Sequence, residues 1–234
     1  MSLLDNIFWN SLKGPQAEFA VGTGEVRRYA PGFSPIAGFE QAGSPDFIAL
    51  AHVCEPGEQI YCDGWSGPVP HGWRIDEEAS MFRMVWDAPI PANDQAPDAV
   101  KLGQEHAQLA LELAQLTKPG PFGIRTIELG DYFGYFEGGR LIAMAGERLA
   151  ADGLREVSGV CTHPDYAGRG MARRLVAKLA RLQLMRGETP FLHVMHDNVA
   201  AHGLYKRMGF RDHCLSPVRV ISRASTDSER HASS

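Results

Sequence analysis

The sequence predicts an α/β chain of the α+β type: a mixed, mostly antiparallel central sheet flanked by helices, with an extra αβ lobe at the N-terminal side. Three observations predict it. From residue 99 onward, strand-like runs alternate with amphipathic helical runs. A Gly138-Gly139 pair between two apolar runs marks a hairpin, and so antiparallel pairing. Composition changes near residue 98: all four tryptophans and ten of the fifteen prolines precede it. Residues 1–98 carry 5 basic and 14 acidic groups (net −9), and residues 99–234 carry 18 and 14 (net +4). The whole chain, 234 residues with 44% hydrophobic content, has material for a core and is neither disordered, collagen-like nor coiled-coil. Its net charge of −5 argues against a nucleic-acid partner.

The elements follow in order. Within 1–98, breakers such as Pro31-Gly32, Ser34-Pro35, Pro56-Gly57 and Gly67-Pro68 cut the chain into short, irregular pieces. Residues 47–53 read as a short helix and 81–86 as a strand. Residues 88–97 read as a linker, because three prolines there forbid a helix or a central strand. Leu102, Ala107, Leu109, Ala110, Leu113 and Leu116 recur at helical spacing, and Pro119-Gly120 ends that helix. Residues 132–136 and 141–149 form the hairpin, and 156–162 a third strand. A long amphipathic helix spans 169–185, with Ala172, Leu175, Val176, Leu179 and Leu182 as its inner stripe. Residues 191–195 read as a strand, 198–208 as a helix with an Asn cap and Gly209 as its stop, and 218–221 as a last strand. The tail is polar, and no internal repeat is visible.

Neither a basic leader nor an eighteen-residue apolar run occurs, so the expectation is a cytoplasmic chain without a membrane partner. Cys54, Cys62, Cys161 and Cys214 lack zinc-site spacing and read as free thiols. No metal is expected: on a strand, His193 and His196 face opposite sides.

The sharpest stretch is V160-C-T-H-P-D-Y-A-G-R-G-M-A-R-R174, an apolar strand, a Gly-x-Gly turn and a helix. Gly168 and Gly170 allow the backbone to approach a ligand and turn its N–H groups outward. The helix N-terminus adds about half a positive charge there, which suits a pyrophosphate. Arg169, Arg173, Arg174, Lys178, Arg181 and Arg186 follow with no acidic residue between them. A tight turn followed by a solvated basic face is the plain structural alternative. Downstream, N198-V-A-A-H-G-L-Y-K-R-M-G-F210 places Asn198, Ala201 and Tyr205 on one helix face.

In order and spacing, residues 99–222 resemble the GNAT superfamily of N-acetyltransferases. The resemblance implies a GNAT-like sheet and a domain division of 1–98, 99–222 and a tail at 223–234. It implies acetyl-CoA as cosubstrate, held by Val160, Thr162, Gly168, Arg169, Gly170, Met171, Ala172, Arg173 and Asn198. Val160 and Thr162 would pair with the pantetheine arm through their backbones, and a strand amide would hold the oxyanion. Tyr205 would protonate the departing sulfur; a core aromatic with an exposed hydroxyl is its structural alternative. Ala167 stands where the family usually has Arg or Gln, which removes a side-chain contact and leaves the backbone donors.

Glu156 lies where some members keep a catalytic glutamate. On a strand it shares a face with Ser158 and Val160, and burial beside apolar residues would raise its pKa and suit it as base. A strand-end surface glutamate is the alternative, and Glu147 is the reserve. The implied reaction is acetylation of a primary amine on a small molecule, an amino acid or a peptide. The acidic first 98 residues would wall the acceptor site and steer a cation. A non-catalytic acyl-CoA-binding module is the competing reading, and edge strands offer a route to a homodimer.

Overall fold

The computed structural model describes residues 2–224. One sheet of eleven strands runs through the molecule: β1 (Ala20–Val21), β2 (Val26–Tyr29), β3 (Ile36–Phe39), β4 (Ile60–Asp63), β5 (Trp73–Trp86), β6 (Val100–Lys101), β7 (Tyr132–Glu137), β8 (Arg140–Ala151), β9 (Leu154–Thr162), β10 (Thr189–Met195) and β11 (Phe210–Arg223). Their order in the sheet is β1-β2-β3-β4-β11-β5-β10-β9-β8-β7-β6. Five helices flank it: α1 (Ile7–Lys13), α2 (Phe47–Ala51), α3 (Ala107–Thr117), α4 (Met171–Met185) and α5 (Val199–Met208). The mixed, mostly antiparallel sheet is the one the sequence predicts. Among the described residues, no helix is long and apolar enough to cross a membrane.

Strand alternation sorts the core into two faces. On one, Leu175, Val176, Leu179 and Ala180 of α4 pack on Ala143, Ala145, Val157, Leu192, Val194 and Met84, and α5 adds Tyr205. On the other, Ile7, Phe8 and Leu12 of α1 pack on Tyr29, Ile36, Val85, Leu149 and Phe191. Beside them, α3 covers Tyr132, Met144 and Cys161. Cys161 is thus core.

The chain repeats its topology. Each half has an antiparallel three-strand meander, a helical crossover to a parallel neighbour, and a long last strand. The first half is β1–β3, α2, β4 and β5; the second is β7–β9, α4, β10 and, after α5, β11. The halves exchange their last strands, so β11 lies beside β4, β5 lies beside β10, and β5 and β11 pair with each other. The registers match step for step. Asp63, Cys62, Tyr61 and Ile60 oppose Val218 to Ile221 as Met195, Val194, His193 and Leu192 oppose Met81 to Met84. No sequence repeat betrays this, because what recurs is strand order and register.

The structure revises four sequence readings. The strand expected at 81–86 begins at Trp73, and the one expected at 218–221 spans Phe210–Arg223, so Ser222 and Arg223 belong to the sheet. Residues 225–234 of the polar tail lie outside the described residues. The expected linker is packed: Ala96 is fully buried, the Trp86 indole donates to the Ala88 carbonyl at 2.6 Å, and Asp94 pairs with Lys178. The first half is also less irregular than its breakers suggest, since Pro31-Gly32 and Ser34-Pro35 fall between β2 and β3, and Pro56-Gly57 and Gly67-Pro68 in the loops before and after β4.

Candidate active site

The site begins where two parallel strands part. β9 and β10 pair at Leu154–Thr189, Arg155–Pro190 and Glu156–Phe191, and the pairing ends there. Beyond it the strands line opposite walls of a cavity of about 680 Å³, with Val157–Val160 on one side and His193–Met195 on the other. The edge of β9 turned towards β10 therefore keeps backbone donors and acceptors that no strand satisfies, suited to an extended ligand.

A bulge re-aims this wall. On β8, Met144 opposes Cys161 and Gly146 opposes Ser158, so Ala145 faces two residues, Gly159 and Val160. Gly159 sits at φ +61°, and a Cβ there would meet the Tyr132 ring at 3.2 Å. The bulge also changes faces. Val160 packs with the α4 core and no longer shares a face with Glu156, against the alternation expected from the sequence. Val160 lines the cavity; Thr162, half-buried, pairs with Ala143 and lies outside it.

At the end of β9 the chain passes through a short turn into α4. Gly168 and Gly170 take φ +78° and +74°, a region open to glycine, and Gly170 caps the helix. Both are exposed, with nothing within 4 Å of where a Cβ would lie, and the first-turn N–H groups of α4 have no intrahelical partner. Arg169 and Arg173 are exposed beside it, with the Arg169 guanidinium 4.8 Å from the Tyr166 ring centroid. Met171 and Ala172 are half-buried in the first turn. The rest of the basic stripe is engaged: Lys178 pairs with Asp94, Arg181 donates to the Pro91 carbonyl at 3.3 Å, and Arg174 to the Tyr135 hydroxyl at 3.2 Å. Of the basic run along α4, Arg169 and Arg173 are thus the exposed pair at its first turn. His163 is a loop residue, accepting from the Asp165 amide at 3.2 Å.

Helix α5 brings Asn198, Ala201 and Tyr205 to the cavity, as their spacing implied. Asn198 caps the helix by accepting from the Ala201 amide at 3.1 Å. Tyr205 packs edge-on to Phe210, and burial pushes its phenol up to about 12.

Glu156 is where the expectation changes most. It is buried, but burial, which alone would raise its pKa, is outweighed by Arg148 and His193, and the carboxyl lies well below its usual range. Arg148 donates to it twice, at 2.9 and 2.7 Å, and the Leu149 amide at 3.1 Å. His193 Nδ1 lies 2.7 Å from it. The raised pKa expected from an apolar strand is therefore corrected: a buried guanidinium from the neighbouring strand reverses it. Glu147, the reserve, accepts from Gln183 at 3.1 Å and from the Asp131 amide at 3.1 Å, pairs with Arg186, and does not line the cavity.

Sequence reasoning missed Arg148, Arg83, Asp63 and the role of His193. Arg83 donates from Nε to His193 Nε2 at 3.1 Å and pairs with Asp63. These residues sit on separate strands, so no local spacing joins them. The available signal was a lone arginine inside each of two apolar strands, M-F-R-M-V-W and G-E-R-L-A-A, which demands a buried partner. The far end of the cavity is lined by Gln59, Tyr61, Glu77 and Ala79 of the first half, with Val218, Val220 and the Lys118–Phe122 loop.

Comparisons with known proteins bear on the family and the fold. The family model described as FR47-like protein matches residues 132–220. The N-alpha-acetyltransferase RimI of Mycobacterium tuberculosis is 36% identical over 115 residues, 46% of this chain and 72% of that protein. A crystal structure of a putative acetyltransferase from the GNAT family of Novosphingobium aromaticivorans is 37% identical, with a TM-score of 0.85, over 96% of this chain and 100% of that one. A GCN5-related N-acetyltransferase from Kribbella flavida shares the fold at 15% identity and a TM-score of 0.59, over 97% and 96% of the two chains.

Proposed function

The chain belongs to the GNAT family of acetyltransferases and is an acyltransferase, and on that premise we propose that it moves an acetyl group from acetyl-CoA to a primary amine by direct attack on the thioester. The observation that carries the reading is the parting of β9 from β10 beside a glycine-capped helix, with Tyr205 facing the gap. The pyrophosphate rests on the first turn of α4, from Gly168 to Ala172, with Arg169 and Arg173 flanking it. Ala167 supplies no side chain, so the backbone carries that contact. The pantetheine arm lies along the free edge of β9 at Val160 and Thr162, and Asn198 borders it from α5.

The acceptor enters from the opposite end, between the Lys118–Phe122 loop and the wall built by Gln59, Tyr61 and Glu77. In this reading residues 1–98 supply that wall, and their net charge of −9 draws in a cationic amine. The relative named an N-alpha-acetyltransferase makes a peptide α-amine the first acceptor to try. The cationic acceptor first gives its extra proton to water; the freed amine nitrogen then bonds to the thioester carbon, the carbonyl electrons move to oxygen, and an amide of the β9 bulge stabilises the oxyanion. As the C–S bond breaks, Tyr205 gives its proton to sulfur. The phenolate recovers a proton from the new ammonium through cavity water. A phenol titrating at about 12 holds that proton throughout the neutral range. Glu156, ionised and saturated with donors, is no free base, and the amine's proton leaves by water. The four cysteines are unpaired, which suits a reducing cytoplasm.

The test is thiol release from acetyl-CoA in the presence of small amines, amino acids and short peptides, with the acetylated product identified by mass spectrometry. Amine-dependent release with an N-acetylated product is expected. Tight acetyl-CoA binding without release for any amine would replace this reading with a binding module.

A further inference from the structure

Directly beneath the parted strands runs a row of polar side chains that no local motif announces. Asp63 on β4, Ser216 on β11, Arg83 on β5, His193 on β10, Glu156 on β9 and Arg148 on β8 sit on six neighbouring strands. Each touches the next: Ser216 donates to Asp63, Asp63 pairs with Arg83, Arg83 donates to His193, and Glu156 joins His193 to Arg148. Asp63, Ser216, Arg83, Glu156 and Arg148 are buried, and the His193 side chain is only 7% exposed beside the 1% of Glu156. Asp63 and Glu156 balance Arg83 and Arg148, so the row is neutral when the imidazole is neutral.

His193 occupies the decisive place in the row. The last backbone pair between β9 and β10 is Glu156–Phe191. Two residues further on, where the next contact would fall, the strands are joined by the His193–Glu156 side-chain bond instead, and past it the cavity opens. The ring has no freedom to turn. Arg83 donates to Nε2, which fixes that nitrogen as the acceptor and places the proton on Nδ1, facing Glu156. Phe8 of α1 and Phe191 hold it edge-on, with centroids 5.9 and 5.8 Å away. With both nitrogens engaged, the imidazole has no lone pair for a substrate proton.

We propose that His193 is a positioning residue: its bond to Glu156 fixes where the sheet opens, and thereby where the thioester carbonyl meets the amine. The kinetic part rests on the acetyl-transfer reading; the geometry does not. A side chain that keeps a donor towards Glu156 and an acceptor towards Arg83 preserves the clamp, and a glutamine does both. A phenylalanine of similar shape does neither, leaving two buried charges each short of one partner.

The experiment has two arms. In the first, nitrogen-15 NMR of the intact wild-type protein reads the His193 tautomer; a protonated Nδ1 and an unprotonated Nε2 at neutral pH are expected, and the reverse tautomer or an imidazolium would overturn the proposal. In the second, acetyl-CoA and the amine panel are turned over by the wild type, His193→Phe and His193→Gln. His193→Phe should lower kcat about 10²-fold, the scale of an ångström of misplacement, with the KM for acetyl-CoA within about threefold. His193→Gln should restore most of the rate. Wild-type kcat in a folded His193→Phe, or a His193→Gln as slow as His193→Phe, would overturn the clamp, the latter by showing that the imidazole itself moves a proton. If His193→Phe does not fold, the tautomer and the glutamine variant decide. A wild type inactive on every amine counts against acetyl transfer, and the tautomer then judges the clamp alone.

Discussion

Tyr205 and Glu156 are both buried acids, and the fold pushes them in opposite directions. Tyr205 meets no buried cation, so desolvation raises it; Glu156 meets Arg148 and His193, which outweigh desolvation. Tyr205→Phe should therefore lower kcat by about 10²-fold with the acetyl-CoA dissociation constant kept, as measured by calorimetry beside the thiol assay. An unchanged rate removes Tyr205 from the mechanism. Glu156 and His193 also govern acid stability. An unfolded glutamate titrates at about 4.3 and the folded Glu156 lower, so its contribution is complete above that value and is lost as pH falls towards the folded pKa. His193 is lowered chiefly by burial, so below about 6.5 the unfolded chain binds its proton first and stability falls there too. Glu156→Gln, leaving Arg148 buried without its charge partner, should cost about 3–5 kcal/mol at neutral pH and flatten the decline on acidification. Denaturant melts from pH 7 to pH 3 check both, and a variant with the wild-type slope would contradict the assignment. The sequence made Tyr205 visible as a candidate because it sits in a motif, and Glu156 because of where it stands ahead of one. Their electrostatics were illegible, since Arg148, Arg83 and Asp63 reach the site from other strands.

Among the elements, those with a strong internal period were readable in advance. Helices α4 and α5, the β7–β8 hairpin and the course of β9 follow the apolar pattern and the glycine and asparagine caps. What escaped was the full length of β5 and β11, which carry Arg74, Asp76, Glu77 and Glu78 near the start of one and Ser216-Pro217 midway along the other. These segments owe their extended form to each other, since they pair along almost their whole length, and a partner distant in sequence leaves no local signature. The bulge at Gly159 escaped for the same reason. At the start of α4 the local signal and the structure coincide, and a direct test follows. Gly170→Ala places a Cβ at φ +74° for about 1–2 kcal/mol of backbone strain. It should lower the melting temperature modestly and weaken acetyl-CoA severalfold by calorimetry. Full wild-type affinity would move the pyrophosphate elsewhere.

At the scale of the molecule, the change of composition near residue 98 separates two topologically matching halves that share one sheet. Only the second carries a glycine-capped helix of useful length; its counterpart in the first, α2, has five residues and is capped by Asp46, whose carboxylate accepts from the Ala49 amide. The first half instead contributes β5, which lies between β10 and β11. A fragment of residues 99–234 would lose the middle of its sheet, and it should show no cooperative thermal transition by circular dichroism; a folded fragment that binds acetyl-CoA would make the halves independent domains. The sequence announced the site-bearing half by its motifs. It left the exchange of strands hidden, because strand order is a property of pairing.

The claim on which the rest depends is that acetyl-CoA lies in the gap between β9 and β10. Backbone amide shifts followed by NMR during an acetyl-CoA titration test it most directly. Saturable shifts concentrated at residues 157–162, 167–173 and 193–205 are expected, with β1 to β3 undisturbed. Shifts centred on the first half, or no saturable change at all, would contradict it.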